Sequence, residues 1–316
     1  MKTVVLAYHE VGCAGLEFLK QAGADITGVF THQDDPTENL WFGSVAQRAK
    51  EYGLNVYAPE RINDPEWVEV LRNCEPEILF SFYYRKLVSA EILAIPRRGC
   101  YNLHGSLLPR FRGRSPTNWA ILLGEKKTGV TLHEMVVKAD AGMIVGQKEV
   151  EIGQDDDARA VLMKQVEATR ILLAEVYPLL VQGRAPAIVQ DESLATKFGG
   201  RRPEDGAIDW NQSAESIHNL VRAVAYPWPG AFSWLRGQKC VVWRTRRYDR
   251  PVPATSLIPG IVVAATEQGV LVRCGVGCIE LLRVQVPPAP WVEGDELKKL
   301  LSPIPGTRFT VGEESR

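Results

Sequence analysis

At 316 residues and 45% hydrophobic, the chain is long enough to bury a large core and divides more naturally into two domains than one. A formal net charge of −1 and a pI near 6.6 exclude a broad nucleic-acid surface and leave room only for local basic patches. No apolar run reaches the ~20 residues that span a bilayer, and no secretory apolar stretch opens the chain, so no membrane insertion and a cytoplasmic location are expected.

The six cysteines are scattered through apolar stretches, as in a reducing compartment. Cys274 and Cys278 form the only close pair; without a second pair or a nearby histidine they read as hairpin thiols, and no metal is expected.

Residues 2–8 form a β-rich run, followed by a glycine turn and a helix carrying Leu16, Phe18, Leu19 and Ala22. Gly12 and Gly15 do not complete G-x-G-x-x-G, so no NAD site is expected. His9 and Glu10 at this turn read equally as a solvated pair or a substrate contact. A strand at 26–31, a polar loop at 32–37, a helix at 42–52, a short strand at 56–58, a helix at 65–73 and a strand at 78–82 follow. This alternation predicts an α/β fold: a Rossmann-like, mostly parallel sheet with helices on both faces. Tyr83, Tyr84, Arg85, Lys86 and Leu87 leave the last of these strands beside the next loop, where they would line a ligand pocket. The aromatic pair by itself reads as packing.

Residues 99–103 predict a buried strand, and the period of two puts Asn102 and His104 on one side. Pro109, Gly113 and Pro116 then shape a loop carrying Arg110, Arg112 and Arg114. A helix over 119–123 closes at Gly124, and strands follow at 128–136 and 144–152. The turn between those strands carries Asp140, a residue that turns use structurally. His133, mid-strand between apolar neighbours, reads as a satisfied buried residue rather than a catalyst.

Asp155, Asp156 and Asp157 suit the start of a helix whose apolar face runs Leu162, Val166, Thr169, Leu173, Val176, Leu180. Residues 198–205 read as a linker in which Arg201 and Arg202 are either solvated or bind an anion. A helix at 213–224 and five short strands between 231 and 286 predict a small barrel, with a loosely ordered tail after Lys299. The domains are expected at 1–200 and 205–302, with 303–316 as tail.

Asn102, His104 and Asp140 then converge on one sheet edge. A histidine carries a proton, an asparagine donates to a developing oxyanion, and a carboxylate favours the protonated imidazole. This set suits acyl transfer to an amine. No G-x-S-x-G elbow surrounds Ser106, so direct attack by the acceptor is preferred to a covalent intermediate.

The N-x-H-G-S-L-L-P run from Asn102, with Arg112-Gly, Thr128-Gly-Val-Thr and Asp140-x-Gly142, resembles the 10-formyltetrahydrofolate-dependent formyltransferases. The resemblance implies a Rossmann-like domain with an OB-like C-terminal domain. It also implies His104 as general acid/base, Asn102 as transition-state stabiliser and Asp140 as the group raising the histidine pKa. Stretches 7–13, 80–85, 112–119, 139–142 and 223–232 are similar to UDP-4-amino-4-deoxy-L-arabinose formyltransferases of polymyxin-resistance lipid A modification. On that similarity the folate co-substrate meets Lys86, Leu87, Val88, Arg114 and the loop Val136, Val137, Lys138, Ala139, Asp140. Arg201 and Arg202 would hold sugar-nucleotide phosphates.

Well-known relatives carry a NAD-dependent decarboxylase domain. Here the chain stops at Arg316 with no second dinucleotide motif, so decarboxylation is expected of another domain or a separate enzyme earlier in the pathway. The competing readings are a formyltransferase for another nucleotide-linked amino sugar, and methionyl-tRNA formyltransferase. The latter usually has a Gly-Thr-Pro turn where this chain has Val11-Gly-Cys, and expects a basic surface. A folate- or nucleotide-binding regulatory module is the non-enzymatic alternative, against which the complete residue set argues.

Overall fold

The computed structural model describes residues 1–33, 39, 41–250, 258–301, 307–310 and 312. The chain folds as two compact units. One comprises Met1–Pro116, Lys127–Glu151 and Val161–Gly200, the other Thr117–Lys126, Ile152–Ala160 and Arg201–Arg316.

In chain order the first elements are β1 (Lys2–Ala7), α1 (His9–Gln21), β2 (Asp25–Phe30), α2 (Val45–Glu51) and β3 (Val56–Tyr57). Then come α3 (Pro65–Asn73), β4 (Ile78–Phe82), α4 (Ala90–Leu93), β5 (Cys100–His104), β6 (Arg112–Gly113) and α5 (Pro116–Leu122). β7 (Lys127–Glu134), β8 (Ile144–Glu151), α6 (Ala158–Gln182) and β9 (Lys197–Phe198) follow. Seven strands pair in the order β3-β2-β1-β4-β5-β7-β8. The first five are mutually parallel, whereas β7 and β8 run antiparallel.

Because both faces of β1 and β4 are covered, their sequences are continuous apolar runs rather than alternating ones; Val4, Val5, Leu6, Leu79 and Phe80 are fully buried. Val4, Leu6 and Leu79 share a core with Phe30, Ile62, Val68, Leu71 and Ile92. The expected glycine turn at 11–15 lies inside α1, where its glycines serve packing: a Cβ at Gly15 would sit 2.5 Å from the Phe82 ring, so α1 lies close on β4. Strand order reverses between β1 and β4, the crevice where open α/β sheets bind ligands beyond the strands' carboxyl ends. The polar loop expected at 32–37 lies mostly outside the described residues.

The expected linker at 198–205 is more ordered than its composition suggests. β9 pairs in parallel with β6, Phe198 stacks on Phe111 with ring centroids 5.3 Å apart, and Pro203–Gly206 is a 3-10 turn. Apolar stacking and satisfied backbone groups outweigh its two glycines and its charge.

In the other unit, α7 (Ala214–Ala223) starts at Ser213, whose hydroxyl accepts from the Ser216 N–H at 3.1 Å. The strands are β10 (Ala231–Leu235), β11 (Gln238–Tyr248), β12 (Val262–Ala265), β13 (Val270–Arg273), β14 (Cys278–Gln285) and β15 (Val292–Glu293). The helix α8 (Gly294–Leu301) and β16 (Phe309–Thr310) complete it. The antiparallel order is β12-β13-β14-β11-β10-β16, with β15 on β14. The path's ends meet: Val262 N–H donates to Thr307 O at 2.9 Å and Phe309 N–H to Gly260 O at 2.8 Å. A small barrel results, as five glycine-separated strands predict. The tail after Lys299 departs from expectation, because Leu301 and Phe309 are buried and residues 307–310 close the sheet. Residues 302–306, 311 and 313–316 lie outside the described residues.

Candidate active site

β5 puts Asn102 and His104 on one face, as its period of two requires. Antiparallel β7 sets His133 opposite Asn102 and Thr131 opposite His104. Beyond β7 the chain turns back through a loop in which Asp140 adopts φ 58°, a left-handed conformation that aspartate tolerates better than most residues. Gly142 is required there, since a Cβ would lie 1.9 Å from Glu134 O. The loop brings Asp140 to His104 over this face, although β7 leaves from the opposite end of β5.

Asp140 sits between two histidines. Its Oδ1 lies 3.7 Å from His104 Nδ1 and 3.8 Å from His133 Nε2, while Oδ2 accepts from the Gly113 N–H at 2.8 Å. Its backbone is anchored as well: Gln190 Nε2 donates to Asp140 O at 2.9 Å and to Gly142 O at 2.7 Å. Arg112, only 5% exposed, donates to Gln190 Oε1 from Nε (3.2 Å) and Nη2 (2.7 Å) and pairs with Glu192 at 2.8 Å. The Asp140 loop thus rests on a charged side chain buried behind it. Sequence reading singles out Arg112 but misses its contact with Gln190, because 78 residues separate them.

The ring tautomers follow from partners that can only accept. His104 Nε2 lies 2.8 Å from Phe111 O and carries the hydrogen, leaving Nδ1, 3.7 Å from Asp140 Oδ1, with the lone pair. His133 Nδ1 donates to Glu134 O at 2.7 Å, so its Nε2 accepts from Asn102 Nδ2 at 3.2 Å. Burial, with His104 nearby, pushes the proton affinity of His133 down to about 4, which keeps this ring neutral.

Ser106 is fully buried and donates to Arg110 O at 2.7 Å. All six cysteines are free and buried, and desolvation pushes the thiol of Cys100, in β5 itself, up to about 12. Neither residue type offers an exposed, activated nucleophile here. Among the described residues no group of three His, Cys, Asp or Glu side chains is placed to hold a metal, and no helix is long and apolar enough to cross a membrane.

The other expected site residues are distributed as follows. Lys86 Nζ donates to the carbonyls of Pro59 and Glu60; Leu87 is 75% exposed, and Val88 packs against the first unit's core. Arg114 is exposed, its N–H donating to Phe198 O at 3.1 Å. Val136, Val137, Lys138 and Ala139 are exposed, and Lys138 pairs with Glu192 at 3.0 Å. Arg201 and Arg202 belong to the second unit. Arg201 lies 4.9 Å over the Trp119 ring and donates to Asp205 O at 2.8 Å, while the Arg202 N–H donates to Asp205 Oδ2. At the first turn, Glu10 Oε1 accepts from the Gly43 N–H at 2.8 Å, and the His9 ring packs 4.1 Å from Phe42.

Known proteins share this fold. Residues 2–177 match the formyl transferase family and residues 201–299 its C-terminal domain. Among solved structures, the chain is similar to an N-formyltransferase from Helicobacter canadensis in complex with folinic acid and dTDP-3-aminofucose. That match has TM-score 0.68 and 17% identity, covering 89% of this chain and 98% of that one. It is similar to WlaRD, a sugar 3N-formyl transferase with dTDP and 5-N-formyl-THF, at TM-score 0.69 and 16% identity, covering 92% and 99%. Methionyl-tRNA formyltransferase from Clostridium thermocellum follows at TM-score 0.56 and 18% identity, covering 79% and 95%. With residues 2–177, over half its length, matched by the formyl transferase family and residues 201–299 by its C-terminal domain, the chain belongs to the formyl transferase family.

Proposed function

We propose that this enzyme transfers the formyl group of 10-formyltetrahydrofolate to the 4-amino group of UDP-4-amino-4-deoxy-L-arabinose, in the cytoplasm, as a step of lipid A modification. The observation that carries the transfer is the meeting of Asn102, His104 and Asp140 on one strand face without a nucleophile. Folate use is supported by the family and by similar proteins solved with folinic acid or 5-N-formyl-THF. The sugar-nucleotide class is supported by two nearly full-length sugar N-formyltransferase matches, and the arabinose derivative by the motifs at 80–85, 112–119 and 223–232.

Each residue's chemistry follows from its atoms. Asn102 donates an amide N–H to the oxygen that gains charge as the unprotonated amine attacks the formyl carbon. Phe111 O fixes the hydrogen of His104 on Nε2, so Nδ1 is the atom that receives the amine's proton and passes it to the leaving nitrogen. Asp140, 3.7 Å away, stabilises the imidazolium formed in between. Lys86, Leu87, Val88, Arg114 and the segment Val136, Val137, Lys138, Ala139 offer apolar and basic groups to the folate, those of Leu87, Arg114 and residues 136–139 exposed, and Arg201 and Arg202 offer guanidinium groups to the diphosphate. An earlier decarboxylation, by another domain or enzyme, supplies the five-carbon sugar.

Mixing the protein with 10-formyltetrahydrofolate and a panel of amino-sugar nucleotides and initiator methionyl-tRNA, while following tetrahydrofolate release, tests this reading. Release is expected with UDP-4-amino-4-deoxy-L-arabinose. Turnover confined to the tRNA, or binding without release, overturns it.

A further inference from the structure

We propose that His133 is a positioning residue for transfer: its Nε2 holds the Asn102 carboxamide nitrogen-inward, leaving the second amide N–H for the formyl oxygen. The inference rests on Asn102 being the oxyanion donor and goes beyond it by assigning what orients that donor. An asparagine amide has two faces of opposite polarity, and a strand fixes where the group sits but not which way round it lies. Here the orientation is determined. Glu134 O, 2.7 Å from Nδ1, takes the ring's only hydrogen, so Nε2 presents a lone pair 3.2 Å from Asn102, and only the amide nitrogen can face it.

The register makes the pair obligatory, since Asn102 and His133 are directly opposed on β5 and β7. His133 is 2% exposed, so water does not compete for Nε2. The charged or titratable groups around the ring are His104 on β5, Asp140 on the return loop and Arg112 on β6. The hydrogen-bond partner of Nε2 is Asn102 Nδ2, and Asp140 Oδ1, at 3.8 Å, lies outside hydrogen-bond distance. An acceptor at this point, rather than a histidine as such, is what the site requires.

The test compares His133→Met, which fills space without an acceptor in the plane of the amide, with His133→Gln, whose amide oxygen can take the same hydrogen bond. Loss of orientation should lower kcat ~10- to 100-fold in His133→Met, with KM for 10-formyltetrahydrofolate and acceptor within about threefold. His133→Gln should recover to within about fivefold of wild type. The histidine-ring ¹⁵N spectrum of the wild-type protein should show His133 as the neutral Nδ1–H tautomer, a readout that needs no variant to fold. Wild-type kcat in His133→Met beside a slow Asn102→Ala overturns the positioning role alone. A fully active Asn102→Ala overturns the donor reading, and this inference with it. A His133→Gln as slow as His133→Met, or an Nε2–H tautomer, also overturns it.

Discussion

Two buried histidines, one in each unit, show how little burial says about function. His133 and His218 are 2% and 3% exposed, and desolvation lowers the proton affinity of both. Both rings are bonded at each nitrogen. His218 meets Thr245 Oγ1 at 2.9 Å and Gln154 O at 3.2 Å, a hydroxyl and a backbone carbonyl, with the Asp155 carboxylate 3.8 Å from Nε2. His133 meets Glu134 O and, through Nε2, the half-buried side chain of Asn102, which is itself beside His104. The difference lies in the partner. One ring closes a local network, and the other orients a group with a hydrogen bond still to give.

Substitutions can break this contrast at graded points. His104→Ala removes the proton carrier, and kcat should fall ~10²- to 10⁴-fold in a tetrahydrofolate-release assay, with folate binding retained. Asn102→Ala removes the oxyanion donor, and a fall of ~10²- to 10³-fold is expected; an unchanged rate would remove the reason for distinguishing His133 from His218. Arg112→Met leaves buried Gln190 Oε1 without its donor and loosens the Asp140 loop. A drop of roughly tenfold in kcat is expected, with a stability loss of about 1–3 kcal/mol by urea denaturation. His218→Leu should cost about 1–3 kcal/mol in the same titration because Thr245 and Gln154 lose their partner. Its kcat should stay at the wild-type value, since His218 and both its partners belong to the other unit.

The smallest effect is a pH dependence that the two histidines share. Each buried ring is neutral in the folded protein, whereas an unfolded histidine takes its proton near pH 6.5. The unfolded state therefore binds more protons below that point, and stability falls as pH drops from 6.5 towards the folded values, about 4 for His133 and, for His218, likewise lowered by burial. Urea midpoints measured from pH 7 to 4 should decline in wild type and decline less steeply in His218→Leu. A flat profile would contradict the neutral, buried rings.

The sequence made the parallel sheet legible because alternating apolar strands and amphipathic helices leave few other solutions, and it made Asn102 and His104 legible because a strand's period puts i and i+2 together. Asp140 entered as a carboxylate in a turn at the same sheet edge, a weak signal because turns use aspartate structurally, and the resemblance supplied its role. His133 was read as a satisfied buried residue. That is true of its bonds, but its register opposite Asn102 depends on β7 running antiparallel to β5, which hydrophobic pattern does not encode. The contact between Arg112 and Gln190 escaped for a related reason: it depends on β6 pairing with β9, two residues each, too short for any periodicity. The closing strand of the barrel, Phe309–Thr310, is equally short and follows a proline- and glycine-containing stretch that reads as a tail.

The central claim is that the formyl group passes directly to the amine, held by hydrogen bonds and never by the protein. It is tested by incubating the enzyme with 10-formyltetrahydrofolate labelled in the formyl carbon, with and without UDP-4-amino-4-deoxy-L-arabinose, then denaturing and counting label on the polypeptide. The account predicts no label on the protein in either case and full label on the sugar nucleotide when it is present. Stoichiometric label on the protein in the absence of acceptor, released to the sugar on its addition, would contradict it.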